Sequence, residues 1–294
     1  MNSFANFSFE YGASDQITPL VKRLIAKNPG PFTYTGTGTF IVGTKELAVI
    51  DPGPIDDDHL KAIIETSGKN KISHIIVTHT HNDHSPLSKP LQEITGAPIY
   101  SYFNEAMDTK TNNQFEEGYD NSFKPDVIVK DGDLIEGFDW TLEAIHTPGH
   151  TSNHMCYALL EEKILFSGDH VMGWSTTVIV PPDGDMDEYL KSLKKLLERN
   201  DNIYLPTHGT QIDNPHDLVN KYIEHRINRE EQIIQAIKSG NFKINEMVKI
   251  IYSDVDPGLH PAASMSTLAH LNRMVKNNII KVDGKGLKAD YSII

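Results

Sequence analysis

Apolar positions along the chain follow two rhythms, and the switches between them mark its elements. Short β-branched or apolar runs at residues 46–51, 72–77, 97–100 and 203–206 have the length and composition of buried strands, and a strand pair ends in Leu165-Phe166-Ser167-Gly168-Asp169-His170. Residues 126–144 alternate well enough for further strands, and the Thr/Gly-rich stretch 32–42 predicts a strand that forms a hairpin with 46–51, turning at Gly43-Thr44-Lys45. Helical spacing appears at residues 56–67, where Leu60, Ile63 and Ile64 share a face and the first turn is acidic. Residues 86–95 and 186–200 predict two more helices. Residues 104–126 are polar and aperiodic, which predicts a long loop, either mobile or covering a site.

Beyond residue 214 the rhythm changes. Helical stretches at 214–239, 244–252 and 261–277 precede a strand-like Ile279-Ile280-Lys281-Val282. Helix, helix, helix and wing is the order of a winged helix. The charge balance shifts in the same place: cations outnumber anions from His225 onward, although the whole chain carries −13. Together these predict two domains, residues 1–223 and 224–294.

Composition narrows the class. With 294 residues, 38% of them hydrophobic, the chain can bury a sizeable core. It has no run of 18 apolar residues, so no membrane span is expected. The first residues lack a basic stretch followed by an apolar one, so no secretory signal is expected. Cys156 is the single cysteine, lies in an apolar run and excludes an intrachain disulfide; a core position and a cytoplasmic protein are the simplest expectations. The acidic balance disfavours broad binding to nucleic acid or membrane surfaces. It leaves a local basic surface possible on the second domain, from Arg226, Arg229, Lys243, Arg273, Lys276 and Lys281.

The candidate chemistry sits where strands end. Thr78-His79-Thr80-His81-Asn82-Asp83-His84 directly follows the 72–77 strand. Imidazole is the commonest metal ligand and a carboxylate its hard partner. Alternate side chains of an extended segment point the same way, so His79 and His81 can grip one metal. Asp83 and His84, beyond the turn, can face a second. In His146-Thr147-Pro148-Gly149-His150 the Pro-Gly turn aims His150, expected to complete the first metal's set; His146, His154 and the strand-end carboxylate Asp51 are expected to support ligands instead. Asp169, after Ser167-Gly168, is the expected bridge between metals, and His208 in Thr207-His208-Gly209 has the same strand-end placement. His170 is ambiguous. Trp174 and Asp183 lie on a segment expected to approach substrate.

The blocks Ile50-Asp51-Pro52-Gly53, THTHNDH, TPGHT, SGD and PTHG, in this order, resemble the metallo-β-lactamase superfamily. The resemblance implies an α/β fold, an αββα sandwich of two mixed sheets with the site at one edge. It implies that His79, His81 and His150 hold one metal and Asp83, His84 and His208 the other, with Asp169 bridging. Asp83 and Asp169 would be the catalytic carboxylates. The winged helix, with GDHVMGWSTTVIVPPDGDM and HRINREEQI, is similar to the β-lactamase-like protein 2 group, whose mitochondrial members cleave single-stranded RNA. One departure is Gly38 in Gly36-Thr37-Gly38-Thr39, where Asn is expected.

The expected activity is metal-dependent hydrolysis by a hydroxide shared between two Zn2+ ions, with manganese or iron also compatible with the donors. No G-x-S-x-G is present and no serine nucleophile is needed. Three readings remain: a two-zinc hydrolase of a small ester or of single-stranded RNA; a glyoxalase II-like thioesterase or lactone hydrolase; and a nucleic-acid-binding protein with a relic hydrolase domain. A weakly basic winged helix disfavours specific DNA binding and suits packing or dimerisation better.

Overall fold

A computed structural model describes residues 8–103 and 117–294. The loop expected over 104–126 therefore lies partly outside the described residues. Seven strands pair in chain order: β1 (Asp15–Gln16), β2 (Val21–Ile25), β3 (Gly38–Val42), β4 (Glu46–Ile50), β5 (Lys71–Ile76), β6 (Ile99–Ser101) and β7 (Val127–Ile128). Pairing is antiparallel from β1 to β4 and parallel from β4 to β7. The β3–β4 hairpin turns where expected. The strand expected from residue 32 begins only at Gly38, because turns and a Gly30–Tyr34 bridge occupy the preceding residues. The second sheet holds β8 (Leu134–Glu136), β9 (Thr141–His146), β10 (Met155–Leu159), β11 (Ile164–Gly168) and β12 (Ile203–Pro206), in the order β12-β11-β10-β9-β8. Only β11 and β12 run parallel.

Period-two alternation gives the first sheet two apolar faces. One face packs on the second sheet: Phe40, Ile50 and Ile76 join Leu142, Tyr157, Phe166 and Leu205, with the Phe40 and Phe166 rings 5.1 Å apart. The other face sends Ile41, Val49 and Ile75 against Ala62 and Ile63 of α1 (Asp57–Ser67) and Leu91 of α2 (Ser88–Thr95). Each such side chain, fully buried, contributes on the order of 1.5–3 kcal/mol. α1 starts at Asp56, whose carboxylate accepts the Asp58 and His59 amides at 2.9 and 3.0 Å.

The chain divides into two compact units. The first comprises Met1–Thr147, Asn153–Thr177 and Glu198–Pro215; the second comprises Pro148–Ser152, Val178–Leu197 and His216–Ile294. The boundary expected between 223 and 224 lies inside α4 (Pro215–Lys238). The second unit also holds α3 (Met186–Leu197), α5 (Ile244–Ile251), α6 (His260–Lys276) and the antiparallel pair β13 (Ile280–Asp283) and β14 (Asp290–Ile293). The Tyr291 amide donates to the Phe242 carbonyl at 2.9 Å, tying this wing to the start of α5. The helices and wing fall where the sequence places them. Among the described residues no helix is long and apolar enough to cross a membrane.

Most of the cations that leave a local basic surface possible on this unit face partners within it. Arg273 donates from Nη1 to both oxygens of Glu230 at 2.8 and 2.6 Å, and Lys276 and Lys191 reach Asp187 Oδ2 at 3.2 and 3.0 Å. Arg226 is buried with its guanidinium 5.3 Å from the Tyr189 ring centroid, and Arg229 lies 4.0 Å from that of Tyr252. Four of the six expected cations are thus held by acids or aromatic rings of their own unit. Lys243 and Lys281 are exposed.

Candidate metal centre

The ligand candidates of the first unit ride on the carboxyl ends of strands. Asp51 follows β4, Thr78–His84 follows β5, Asp169 follows β11 and His208 follows β12. β4 and β5 are parallel, as are β11 and β12, so each pair delivers its loops to one edge of its sheet. The Met155 amide donates to the Thr78 carbonyl at 2.8 Å, joining the two edges. Gly168 makes the last turn at φ 53°; a Cβ there would lie 2.5 Å from His154 Nε2. Its absence lets the Asp169 amide donate to that nitrogen at 3.1 Å.

Each imidazole is oriented through one nitrogen. His84 Nδ1 is 2.9 Å from Asp51 Oδ2, His208 Nδ1 is 3.2 Å from the Gly36 carbonyl, and His79 Nδ1 is 3.1 Å from Thr78 Oγ1. The Thr78 hydroxyl itself donates to Asp51 at 2.7 Å, so its oxygen accepts from His79. In every case Nδ1 carries a proton and Nε2 faces inward. His79 Nε2 then meets His81 Nδ1 at 2.9 Å. His84 Nε2 lies 3.2 Å from Asp83 Oδ2 and 3.5 Å from Asp169 Oδ2, while His208 Nε2 lies 3.1 Å from Asp83 Oδ2 and 3.4 Å from Asp169 Oδ1. His150, in the second unit, is buried and directs Nδ1 to the Val178 carbonyl at 2.8 Å, which again leaves Nε2 as the donor.

Asp51 is the hub behind the ligands. It is buried at φ 48° and accepts from the Thr78 amide at 2.8 Å and from Thr207 Oγ1 at 3.2 Å, besides Thr78 Oγ1 and His84. Thr37 donates to Asp83 Oδ2 at 3.0 Å and is itself held by Asn28, through Nδ2 to Thr37 Oγ1 and through Oδ1 to the Thr37 amide, both at 2.9 Å.

Burial works against the ionised carboxylates, yet Asp83 is held well below the usual range by His84 and His208, and Asp169 by His208 and His84. Burial likewise opposes a charged imidazole. The Asp83, Asp169 and Asp51 carboxylates nonetheless push His84 well upward, and Asp169 with Asp83 pushes His208 up to about 10. The cluster thus demands positive charge, and protons on imidazole are one way to supply it. Divalent cations are the other, and the donors fit them. All are nitrogen or oxygen, and Asp83 Oδ1 and His84 Nε2 are buried with no hydrogen-bond partner.

Asp51 and His154 stand behind ligand candidates, on His84 and on the Asp169 amide. His154 accepts from the Asp169 amide and meets Thr147 Oγ1 at 2.9 Å. His146 instead stacks on Tyr102, with ring centroids 4.4 Å apart. Asp183 accepts from the Ser152 amide at 3.2 Å and from its hydroxyl, bracing the turn that follows His150. Trp174 stacks on Tyr34. Gly38, standing where Asn was expected, has its amide on the Thr207 carbonyl at 2.8 Å, and a Cβ would come within 2.9 Å of that oxygen.

Sequence reasoning missed Asn28, Thr37, Thr78 and Thr207. It also missed Tyr119 and Glu117. Tyr119 bridges to His81 and lies with its ring 4.8 Å away. Glu117 is half-buried and raised by burial and by the Asp83 carboxylate, against the pull of His208, His81 and His84. The Asn82 and Asp120 amides exchange bonds with the Gly118 and Thr80 carbonyls at 3.0 and 2.8 Å.

Residues 34–208 match the family model described as Metallo-beta-lactamase superfamily, and residues 244–288 match the Beta-lactamase associated winged helix domain. The chain is 30% identical over 276 residues to a Beta-lactamase-like protein 2 homolog of Caenorhabditis elegans, covering 91% of this chain and 88% of the relative. It is 31% identical over 253 residues to an Atrochrysone carboxyl ACP thioesterase of Aspergillus chevalieri, covering 82% and 75%. A beta-lactamase domain protein from Burkholderia ambifaria superposes with a TM-score of 0.82 at 17% identity, covering 99% of this chain and 96% of that one.

Proposed function

Since the chain belongs to the metallo-β-lactamase superfamily and is a metallo-hydrolase, we propose that it hydrolyses small acyl esters or thioesters with two divalent cations, zinc by the character of its donors. In this proposal His79, His81 and His150 hold one ion, Asp83, His84 and His208 hold the other, and Asp169 is shared. The observation that carries it is how the ligand atoms group. Within the first unit, His79, His84 and Asp169 form one set and Asp83, His84 and His208 another, each with its atoms within 4.8 Å of one another. The sets overlap through His84, as a site for two adjacent ions requires.

Cations in such a site lower the pKa of water and neutralise the charge that develops on an attacked carbonyl. The chain's own residues fix the geometry. Asp51 holds His84 and, through Thr78, His79; Gly36 holds His208; Asn28 and Thr37 keep Asp83 turned inward. The hydrolytic chemistry is assigned to residues 1–223, and a packing or dimerisation role to residues 224–294.

A small substrate is favoured over RNA because most of the expected cations are engaged inside the second unit. The thioesterase name of one relative points the same way. The test is turnover of a small chromogenic ester, an acyl thioester and a single-stranded oligoribonucleotide by zinc-loaded protein at 50 and 200 mM salt. Ester or thioester turnover nearly independent of salt is expected. RNA cleavage that falls at least about tenfold across that range would replace this reading with the nuclease one.

A further inference from the structure

Asp51 holds His84 and Thr78 only while its carboxylate is aimed at them, and its own backbone works against that aim. It sits at φ 48°, in the left-handed region, and it precedes Pro52, a position that favours extended backbone. An Asp in the left-handed region is ordinarily steadied by its side chain bonding to the backbone beside it. Here the carboxylate is committed to Thr78, His84 and Thr207 instead.

The two peptide planes that flank Asp51 are held from other strands. Its amide donates to the Ile76 carbonyl at 2.9 Å, and its carbonyl accepts from the Thr39 hydroxyl at 2.7 Å. Thr39 is buried in β3, where its backbone is in register with Leu24. His59 Nε2 lies 2.8 Å from the same Thr39 Oγ1. A hydroxyl has one proton, and this one goes to a carbonyl that can only accept. Toward His59 the oxygen therefore accepts, and Nε2 carries the ring proton. His59 is buried as the third residue of α1, with its amide on the Asp56 cap at 3.0 Å. Burial pushes the ring down to about 4 against the pull of Asp56, so at neutral pH it is an uncharged donor.

We propose that His59 and Thr39 are positioning residues of the metal centre: the relay from His59 Nε2–H through the Thr39 hydroxyl to the Asp51 carbonyl fixes the rotation of Asp51, and through it the aim of the His84 imidazole. Without the hydroxyl the second peptide plane is free to turn, and the carboxylate turns with it. Without the His59 donor the hydroxyl is free to leave Asp51, a smaller loss. The relay rests on the proposed function in one respect, that His84 binds a cation.

The tautomer of His59 is the first test and needs neither metal nor substitution. In the chelator-treated full chain, labelled with nitrogen isotope in histidine, ring nitrogen–proton correlations at neutral pH should show His59 uncharged with its proton on Nε2. A proton on Nδ1 overturns the relay.

Zinc affinity by isothermal titration is the second test. Thr39→Val keeps the shape and removes the hydroxyl. It should weaken zinc about tenfold, and in metal-free protein the His84 Nδ1–H resonance should move upfield. Thr39→Ser should restore both. His59→Gln, whose amide reaches the place of Nε2, should bind zinc within about twofold of the parent, and His59→Leu should bind it severalfold more weakly. Asp51→Asn already loosens the hold on His84, so adding Thr39→Val to it should cost less than about twofold more. Parent affinity in Thr39→Val, equal losses for Thr39→Ser and Thr39→Val, equal affinities for His59→Gln and His59→Leu, or losses that multiply in the double variant each overturn the proposal. If Thr39→Val does not fold, the tautomer and the two His59 variants still decide it. A parent chain that binds no zinc removes the metal-centre reading and the positioning role with it, whereas zinc binding with His59 protonated on Nδ1 removes the relay alone.

Discussion

His208 and His270 are both buried beside carboxylates, yet His208 is driven up to about 10 and His270 down to about 4. Burial lowers both. At His208 it is outweighed by Asp169 and Asp83, whose carboxylates face imidazoles. At His270 the hydrogen bond to Glu230 does not compensate, because Arg226 and Arg229 oppose a third cation and Arg273 already holds that carboxylate with two bonds. Carboxylates facing imidazoles make a cluster that calls for cations from outside. Carboxylates facing guanidinium and ammonium groups make a brace. Residue type alone does not tell them apart; the partner does.

Substitutions should separate the two clusters cleanly. The largest effect is expected for Asp169→Ala, which removes the ligand proposed to be shared: zinc affinity and hydrolysis should fall more than about a hundredfold, since outer partners of ligands alone account for about 10–100-fold. Isothermal titration with zinc and steady-state turnover would check this, and full metal content with full activity would break the contrast. Next is Glu230→Ala in the second cluster, which leaves His270 without its acid and Arg273 with Asp187 alone. It should cost about 3 kcal/mol of stability in denaturant unfolding while leaving zinc stoichiometry unchanged. A loss of zinc instead would mean that the brace is part of the site.

These partnerships were unevenly legible in the sequence. His79, His81, Asp83 and His84 are neighbours in the chain, and a strand of Ile and Val leads straight into them, so local pattern suffices. Asp51, Asp169 and His208 each follow a short apolar run, which is again local. The Asn28–Thr37–Asp83 relay and Thr207 on Asp51 are not local, because residues as ordinary as Asn and Thr become supports only once distant loops converge. The two-sheet core followed from the resemblance to the metallo-β-lactamase superfamily, whereas the start of β3 did not follow from composition, because turns and the Gly30–Tyr34 bridge displaced an otherwise strand-like stretch. The pairing of Arg273 with Glu230 across 43 positions is likewise invisible to a count of charges.

Asp51→Asn sharpens the comparison at smaller magnitude. It keeps the size of the hub but weakens its hold on His84 Nδ1–H, so zinc affinity should fall about tenfold with little change in melting temperature of the metal-free protein. An unchanged zinc affinity would mean that His84 is oriented by something else.

The smallest expected effects are in pH. His208 lies above its unfolded value, so in chelator-treated protein its contribution is full below about pH 6.5 and lost as pH rises through about 10. His270 lies below its unfolded value, so its contribution is present above about pH 6.5 and lost as pH falls through about 4. Melting curves of chelated protein should therefore lose stability on each limb. Zinc should abolish the alkaline loss, because the ions take over from the protons, and His270→Gln should flatten only the acid limb. An alkaline limb untouched by zinc would contradict the assignment of His208.

The central claim is that the carboxylate–imidazole cluster is built for two external cations. Elemental analysis of the full chain after reconstitution with zinc and removal of free metal tests it most directly. About two zinc ions per chain are expected, and fewer than about one would contradict the account.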